Sequence, residues 1–141
     1  MRVLAIDYGT ARCGVAVSDP SGTLARPLES VPPEPSAIVR LVGEQEAERV
    51  VVGLPVSLSG EEGDQARLSR AFAAELGDLL DVPVETYDER LTTKMAAETA
   101  RRGARADEDS LAAAHLLESY LTSLVTGRGS DSGAGEAPPD A

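Results

Sequence analysis

Three short apolar runs open the chain. Val3 to Ile6 is stopped by Asp7, Tyr8 and Gly9, and Cys13 to Val17 by Ser18, Asp19 and Pro20. Leu24 to Val31 follows a Ser21-Gly22 turn with looser alternation. Close spacing with turn residues between the runs predicts an antiparallel meander of three strands. Pro27 fits only an edge or irregular position there. Pro32, Pro33 and Pro35 then break the chain, and Pro35 suits the first turn of a helix whose face is marked by Ile38, Leu41, Val42 and Gln45. Arg49 to Gly53 carries three consecutive valines, the pattern of a buried central strand. Its arrival after a helical crossover predicts that it runs parallel to the first.

Ser57 to Gly63 is polar and glycine-containing, hence a loop. Helical spacing resumes from Asp64 to Leu80, with Leu68, Phe72, Leu76 and Leu79 as the expected apolar stripe. Pro83 to Tyr87 is a last short strand. Thr92 or Thr93 can cap a weaker helix reaching Arg102, and Gly103 to Asp107 forms a joint. From Asp109 onward Ala113, Leu117, Leu121 and Val125 recur every four residues, with Leu116, Tyr120 and Leu124 alongside, which is the clearest helical pattern in the chain. Residues 1–126 are expected to form one domain. Residues 127–141, an acidic Gly/Ser/Pro-rich stretch, are expected to be a disordered tail. Three antiparallel strands followed by alternating crossovers predict an α/β, ribonuclease H-like arrangement: a mixed five-stranded sheet flanked by helices. Gly9 and Gly14 are five apart and lead into a strand, so the Rossmann fingerprint fails, and no Gly-Lys-Ser/Thr triplet supports a P-loop.

Composition narrows the chemistry. One cysteine, Cys13, leaves no intrachain disulfide and no multi-thiolate zinc site. Cys13 lies in an apolar run and is expected to be packing. His115, the single histidine, falls inside the last helical pattern, where a structural or surface role is expected. No apolar run approaches the ~18 residues of a membrane span. Arg2 is followed by only four apolar residues before Asp7, so no secretory signal is expected. The net charge of −11 argues against a non-specific nucleic-acid binder and suits an acidic site for hard cations.

The carboxylates carry the chemistry that remains. Asp7 closes the first strand, where open α/β sheets gather ligands, though it could equally cap the Gly9 turn. Asp88 and Glu89 stand just past the last strand, where a solvated loop pair is the plainer reading. Asp109 heads the buried stripe of the final helix, and its alternative is an acidic helix start with Asp107 and Glu108. If carboxylates from the ends of the first and last strands and from the start of the final helix converge, they form an oxygen-rich nest for Mg2+ or Mn2+, and metal-assisted phosphodiester hydrolysis needs no histidine. Arg12, Arg90 and Lys94 lie close by in sequence, as do Arg101, Arg102 and Arg105, and could hold phosphates without reading bases. With only Tyr8, Phe72, Tyr87 and Tyr120 as aromatics, no base-stacking platform is evident, although Tyr8 could touch a sugar or base.

These segments together resemble the YqgF/RuvX family of pre-16S ribosomal RNA nucleases and Holliday-junction-resolvase-like proteins. The resemblance rests on Ile6-Asp7-Tyr8-Gly9-Thr10 through Gly14-Val15-Ala16-Val17-Ser18-Asp19, on Val52-Gly53-Leu54-Pro55 with Gly60, on Asp88-Glu89-Arg90-Leu91-Thr92-Thr93, and on Asp109-Ser110-Leu111-Ala112-Ala113. It covers residues 1–126. It implies a ribonuclease H-like fold, acidic metal ligands at Asp7, Glu89 and Asp109, and cytoplasmic processing of the 5′ end of precursor 16S RNA, with that RNA or the pre-ribosomal particle as partner. Ser57 stands where the family often has Asn, and Ser110 where it often has Lys, which implies weaker phosphate contacts. A junction resolvase acting on DNA as a dimer would use the same acids. A non-enzymatic ribosome or transcription assembly factor would need none of them. Asp7-Tyr8-Gly9-Thr10 also resembles the first phosphate loop of actin-like ATPases, but 141 residues cannot supply their two domains.

Overall fold

A computed structural model describes residues 1–57, 59–91 and 108–126, the last stretch with side chains from Ser110 onward. The expected helix after Thr92, the joint before Glu108, Lys94 and the tail all lie outside the described residues. The strands are β1 (Val3–Asp7), β2 (Gly14–Ser18), β3 (Ala25–Pro27), β4 (Arg49–Leu54) and β5 (Val84–Asp88). The helices are α1 (Pro35–Gln45), α2 (Asp64–Leu79) and α3 (Glu108–Thr126), and a single 3-10 turn spans Glu89–Leu91.

The strands form one sheet in the order β3-β2-β1-β4-β5. β1 is antiparallel to β2 and parallel to β4, and β4 is parallel to β5, as the crossovers required. Alternation sorts the strand side chains into two cores. Val3, Ala5, Ala16, Val51 and Tyr87 pack against α3 through Ala113, Leu116, Leu117 and Tyr120. Leu4, Ile6, Cys13, Val15, Val17, Val50 and Val52 pack on the other face against Ile38 of α1 and Phe72, Ala73 and Leu76 of α2. Cys13 is wholly buried in this second core, as its apolar setting predicted.

Three expectations are corrected. The third strand does not run from Leu24 to Val31: regular pairing covers only Ala25–Pro27. Beyond Pro27 the Leu28 N–H still reaches the Val15 carbonyl at 2.8 Å, and pairing resumes at Cys13–Val31. Two steps along the chain from Cys13 to Val15 therefore face three from Leu28 to Val31, a one-residue bulge at the sheet edge. In α2 the buried residues are Ala66, Ser69, Phe72, Ala73 and Leu76, while Leu68 and Leu79 are 43% and 59% exposed. At about 100° per residue, Leu68 lies about 100° and Leu79 about 80° around the helix from Ser69 in the buried stripe, so both fall at its margin. In α3 Val125 is 86% exposed and Leu124 42%. This 19-residue helix is about 28 Å long against about 17 Å for a five-residue strand, so its last turn overruns the sheet.

Candidate active site

β1, β4 and β5 run in one direction, so their carboxyl ends share an edge. Asp7 ends β1, Asp88 ends β5, and Glu89 opens the following turn. Between that edge and α3 lies a cleft of about 230 Å3 lined by Asp7, Glu89, Ala112, His115 and Leu116. Asp109 precedes Ala112 by three residues and Leu116 by seven, which places it on the helix face that lines the cleft. Its side chain lies outside the described residues.

The two described carboxylates of the cleft act on one another. Burial is the main force that raises Glu89 to about 7, and the negative charges of Asp7 and then Asp88 add to it. Gly53, the penultimate residue of β4, makes room for this arrangement. A Cβ at residue 53 would stand 2.5 Å from Glu89 Oε2 and 3.1 Å from Leu116 Cδ2. The absent side chain is therefore what lets Glu89 lie over the strand end.

Asp88 and Arg90 have a different task. The Arg90 backbone N–H and Nε donate to Asp88 Oδ1 at 2.9 and 3.1 Å, and Nε and Nη2 donate to Oδ2 at 2.9 and 2.5 Å. This fork holds the nearly buried Asp88 carboxyl below its usual range, with the Arg90 side chain as first cause, and it braces the turn that carries Glu89. Arg90 was expected to meet phosphate; here its Nε and Nη2 face Asp88. Arg12 is exposed in the turn after β1. Tyr8, half-buried, packs its ring on Phe72, with centroids 4.7 Å apart. Position 110, where a lysine would reach for phosphate, is interior: Ser110 is wholly buried and its Oγ accepts the Val15 N–H at 3.1 Å.

His115, expected from its place in a helical pattern to be structural or at the surface, is half-buried and lines the cleft three residues after Ala112. Among the described residues no group of three acids, histidines or cysteines has the closeness of a metal centre. Asp7 and Glu89 are the described pair, and Asp109 would be the third.

Comparison with known structures shows the class first. RuvC of T. thermophilus in complex with a Holliday junction superposes with a TM-score of 0.68 over 92% of this chain and 98% of that one, at 15% identity. The Fowlpox virus resolvase bound to Holliday junction DNA gives 0.54 over 89% and 99%, at 12% identity. The fold is thus ribonuclease H-like, of the kind found in the RuvC resolvases. Sequence places the chain more closely. A family model described as "RuvX: Holliday junction resolvase" matches residues 1–123. A protein of Rhodococcus erythropolis is 43% identical, covering 85% of this chain and 77% of its own. One of Thermobifida fusca is 47% identical over 84% and 85%, and one of Rubrobacter xylanophilus 46% identical over 85% and 91%. All three carry pre-16S rRNA nuclease as a provisional name. The chain belongs to the RuvX family.

Proposed function

We propose that this protein is a divalent-metal-dependent endonuclease that cuts structured RNA, with the 5′ end of precursor 16S ribosomal RNA in the cytoplasm as its target. The observation that carries the reading is the pairing of Asp7 and Glu89 in one cleft at the carboxyl edge of the sheet, beneath the helix turn bearing Asp109. An oxygen-only pair whose mutual repulsion helps to raise Glu89 to about 7 fits a hard divalent cation, which would relieve that repulsion. Asp7, Glu89 and Asp109 would hold Mg2+ or Mn2+, which when bound supplies Lewis-acid activation of water and of the phosphoryl oxygens. The chain's own residues position the reaction: Gly53 leaves space for Glu89, the Asp88–Arg90 fork braces its turn, and α3 walls the cleft with Ala112 and Leu116. Arg12 and Lys94 would steady flanking phosphates. The names of the relatives support the RNA substrate. No described helix is long and apolar enough to cross a membrane.

A second reading, cleavage of four-way DNA junctions, is favoured by the family description and by the RuvC complex. One experiment separates them. Purified protein is incubated with precursor ribosomal RNA or with a DNA junction, each with Mg2+ and with Mn2+, beside Asp7→Asn and Asp109→Asn. Metal-dependent cleavage of the RNA, lost in both variants, is expected. Cleavage of the junction alone would replace the RNA reading, and wild-type rates in Asp109→Asn would remove that residue from the site.

A further inference from the structure

We infer that Ser110 is a positioning residue: its hydroxyl latches the start of α3 to β2 and thereby sets the distance between Asp109 and Asp7. The inference rests on the metal-site reading above. It begins with the bulge at the sheet edge. Val15 directs both its backbone groups toward the outer chain, and its carbonyl accepts the Leu28 N–H at 2.8 Å. An uninterrupted antiparallel ladder would return the second bond, from the Val15 N–H to the Leu28 carbonyl. The extra residue between Leu28 and Val31 breaks that return, and the Val15 N–H donates to Ser110 Oγ at 3.1 Å instead. A buried N–H without an acceptor is costly, so the interrupted ladder has a standing demand for an oxygen, and α3 supplies it.

The place of this bond gives it a consequence for the cleft. Val15 pairs with Ile6 and Gly14 with Asp7, so the latched amide is one residue from the partner of the strand end that carries the first carboxylate. Ser110 is the neighbour of Asp109, at the first turns of the helix. Wholly buried, the hydroxyl joins the two halves of the site across 95 positions of sequence. Farther along, α3 is held by apolar contacts with the sheet, by Ser119 Oγ donating to the Leu91 carbonyl at 3.1 Å and by the Tyr120 bonds to Arg49 and Glu85. The Ser110 bond adds a directional tie to β2 at the helix start, beside Asp109.

The test uses Mn2+ binding to the intact protein, read by electron paramagnetic resonance of the free ion, beside amide hydrogen exchange at Val15. Ser110→Ala is expected to lose Val15 protection and to weaken Mn2+ binding about tenfold or more, as loss of supporting hydrogen bonds around metal ligands does. Tyr120→Phe, which loosens the far end of the same helix, is expected to lower the melting temperature and leave Mn2+ binding unchanged. In an Asp109→Asn background the Ser110→Ala change should weaken binding no further, since a residue that acts through Asp109 has no effect without it. Ser110→Cys, close in size with a weak acceptor, must also weaken binding and keeps the test decisive if the alanine variant does not fold. Wild-type Mn2+ affinity in Ser110→Ala, or the same weakening in the Asp109→Asn background, would overturn the latch alone. Absence of Mn2+ binding by the wild-type protein would overturn the metal reading and the latch with it.

Discussion

Gly53 and Glu89 show how little space holds the Glu89 carboxylate over the strand end. Gly53→Ala puts a carbon where Glu89 Oε2 now lies, and the cheaper adjustment is for the glutamate to swing away. The expected result is a loss of about 10- to 100-fold in kcat with an unchanged circular dichroism spectrum, because a misplacement near 1 Å costs on that order. Glu89 itself predicts a pH dependence. In the folded protein it keeps its proton up to about 7, against 4.5 for an ordinary glutamate. Its proton therefore favours the folded state: that contribution is full below the ordinary value and is lost as pH rises through about 7. Metal must displace the same proton, so the gain in melting temperature on adding Mg2+ should be larger at about pH 8 than at about pH 6, and Glu89→Gln should flatten the difference. Of the cleft, strand polarity made legible that Asp7 and the Asp88-Glu89 pair share one edge, while the choice of Glu89 from that pair came from the family resemblance. The Asp88–Arg90 fork was not legible, because a side chain's choice between a neighbour and a ligand leaves no periodic trace.

At the scale of elements, hydrophobic period and turn chemistry carried β1, β2, β4, β5 and all three described helices to within a residue or two. The failures lie where tertiary packing outweighs period. β3 was drawn too long because alternation continued past a bulge, the α2 stripe took in positions at its angular margin, and the α3 stripe was extended past the sheet that buries it. Away from the cleft, α3 is also tied to the amino ends of β4 and β5. Arg49 Nη1 donates to Tyr120 Oη at 2.8 Å and to Glu85 Oε2 at 3.0 Å, and the Tyr120 hydroxyl donates to the same Glu85 oxygen at 2.9 Å. Burial is the first cause that pushes Tyr120 up to about 12, so the phenol keeps its proton and remains a donor. Tyr120→Phe should destabilise by about 1–2 kcal/mol in urea unfolding while the rate per folded molecule stays at the wild-type value. Near the cleft, Arg90→Lys cannot rebuild the fork on Asp88, and both stability and kcat are expected to fall.

Across the whole molecule the charge of −11 sits uneasily with a polyanionic substrate. Arg40, Arg49, Arg67, Arg70 and Arg90 are each paired with an acid of the same chain. Such pairing leaves few cations among the described residues to meet phosphate, so RNA affinity should depend weakly on monovalent salt. A log–log slope of about −2 to −3 is expected in filter binding with Asp7→Asn, far from the slope of an extended basic interface. Steeper dependence would mean that a basic surface outside the described residues does the holding. The chain's path has one more consequence. Asp7 lies in the first strand and the wall opposite it in the last described helix, whose Ser110 is bonded to Val15 of β2, 95 positions earlier. During synthesis the sheet strands emerge long before that helix, so a growing chain has no cleft until its final described element is out. Nascent chains stalled before Glu108 therefore lack one wall of the cleft and should cut nothing.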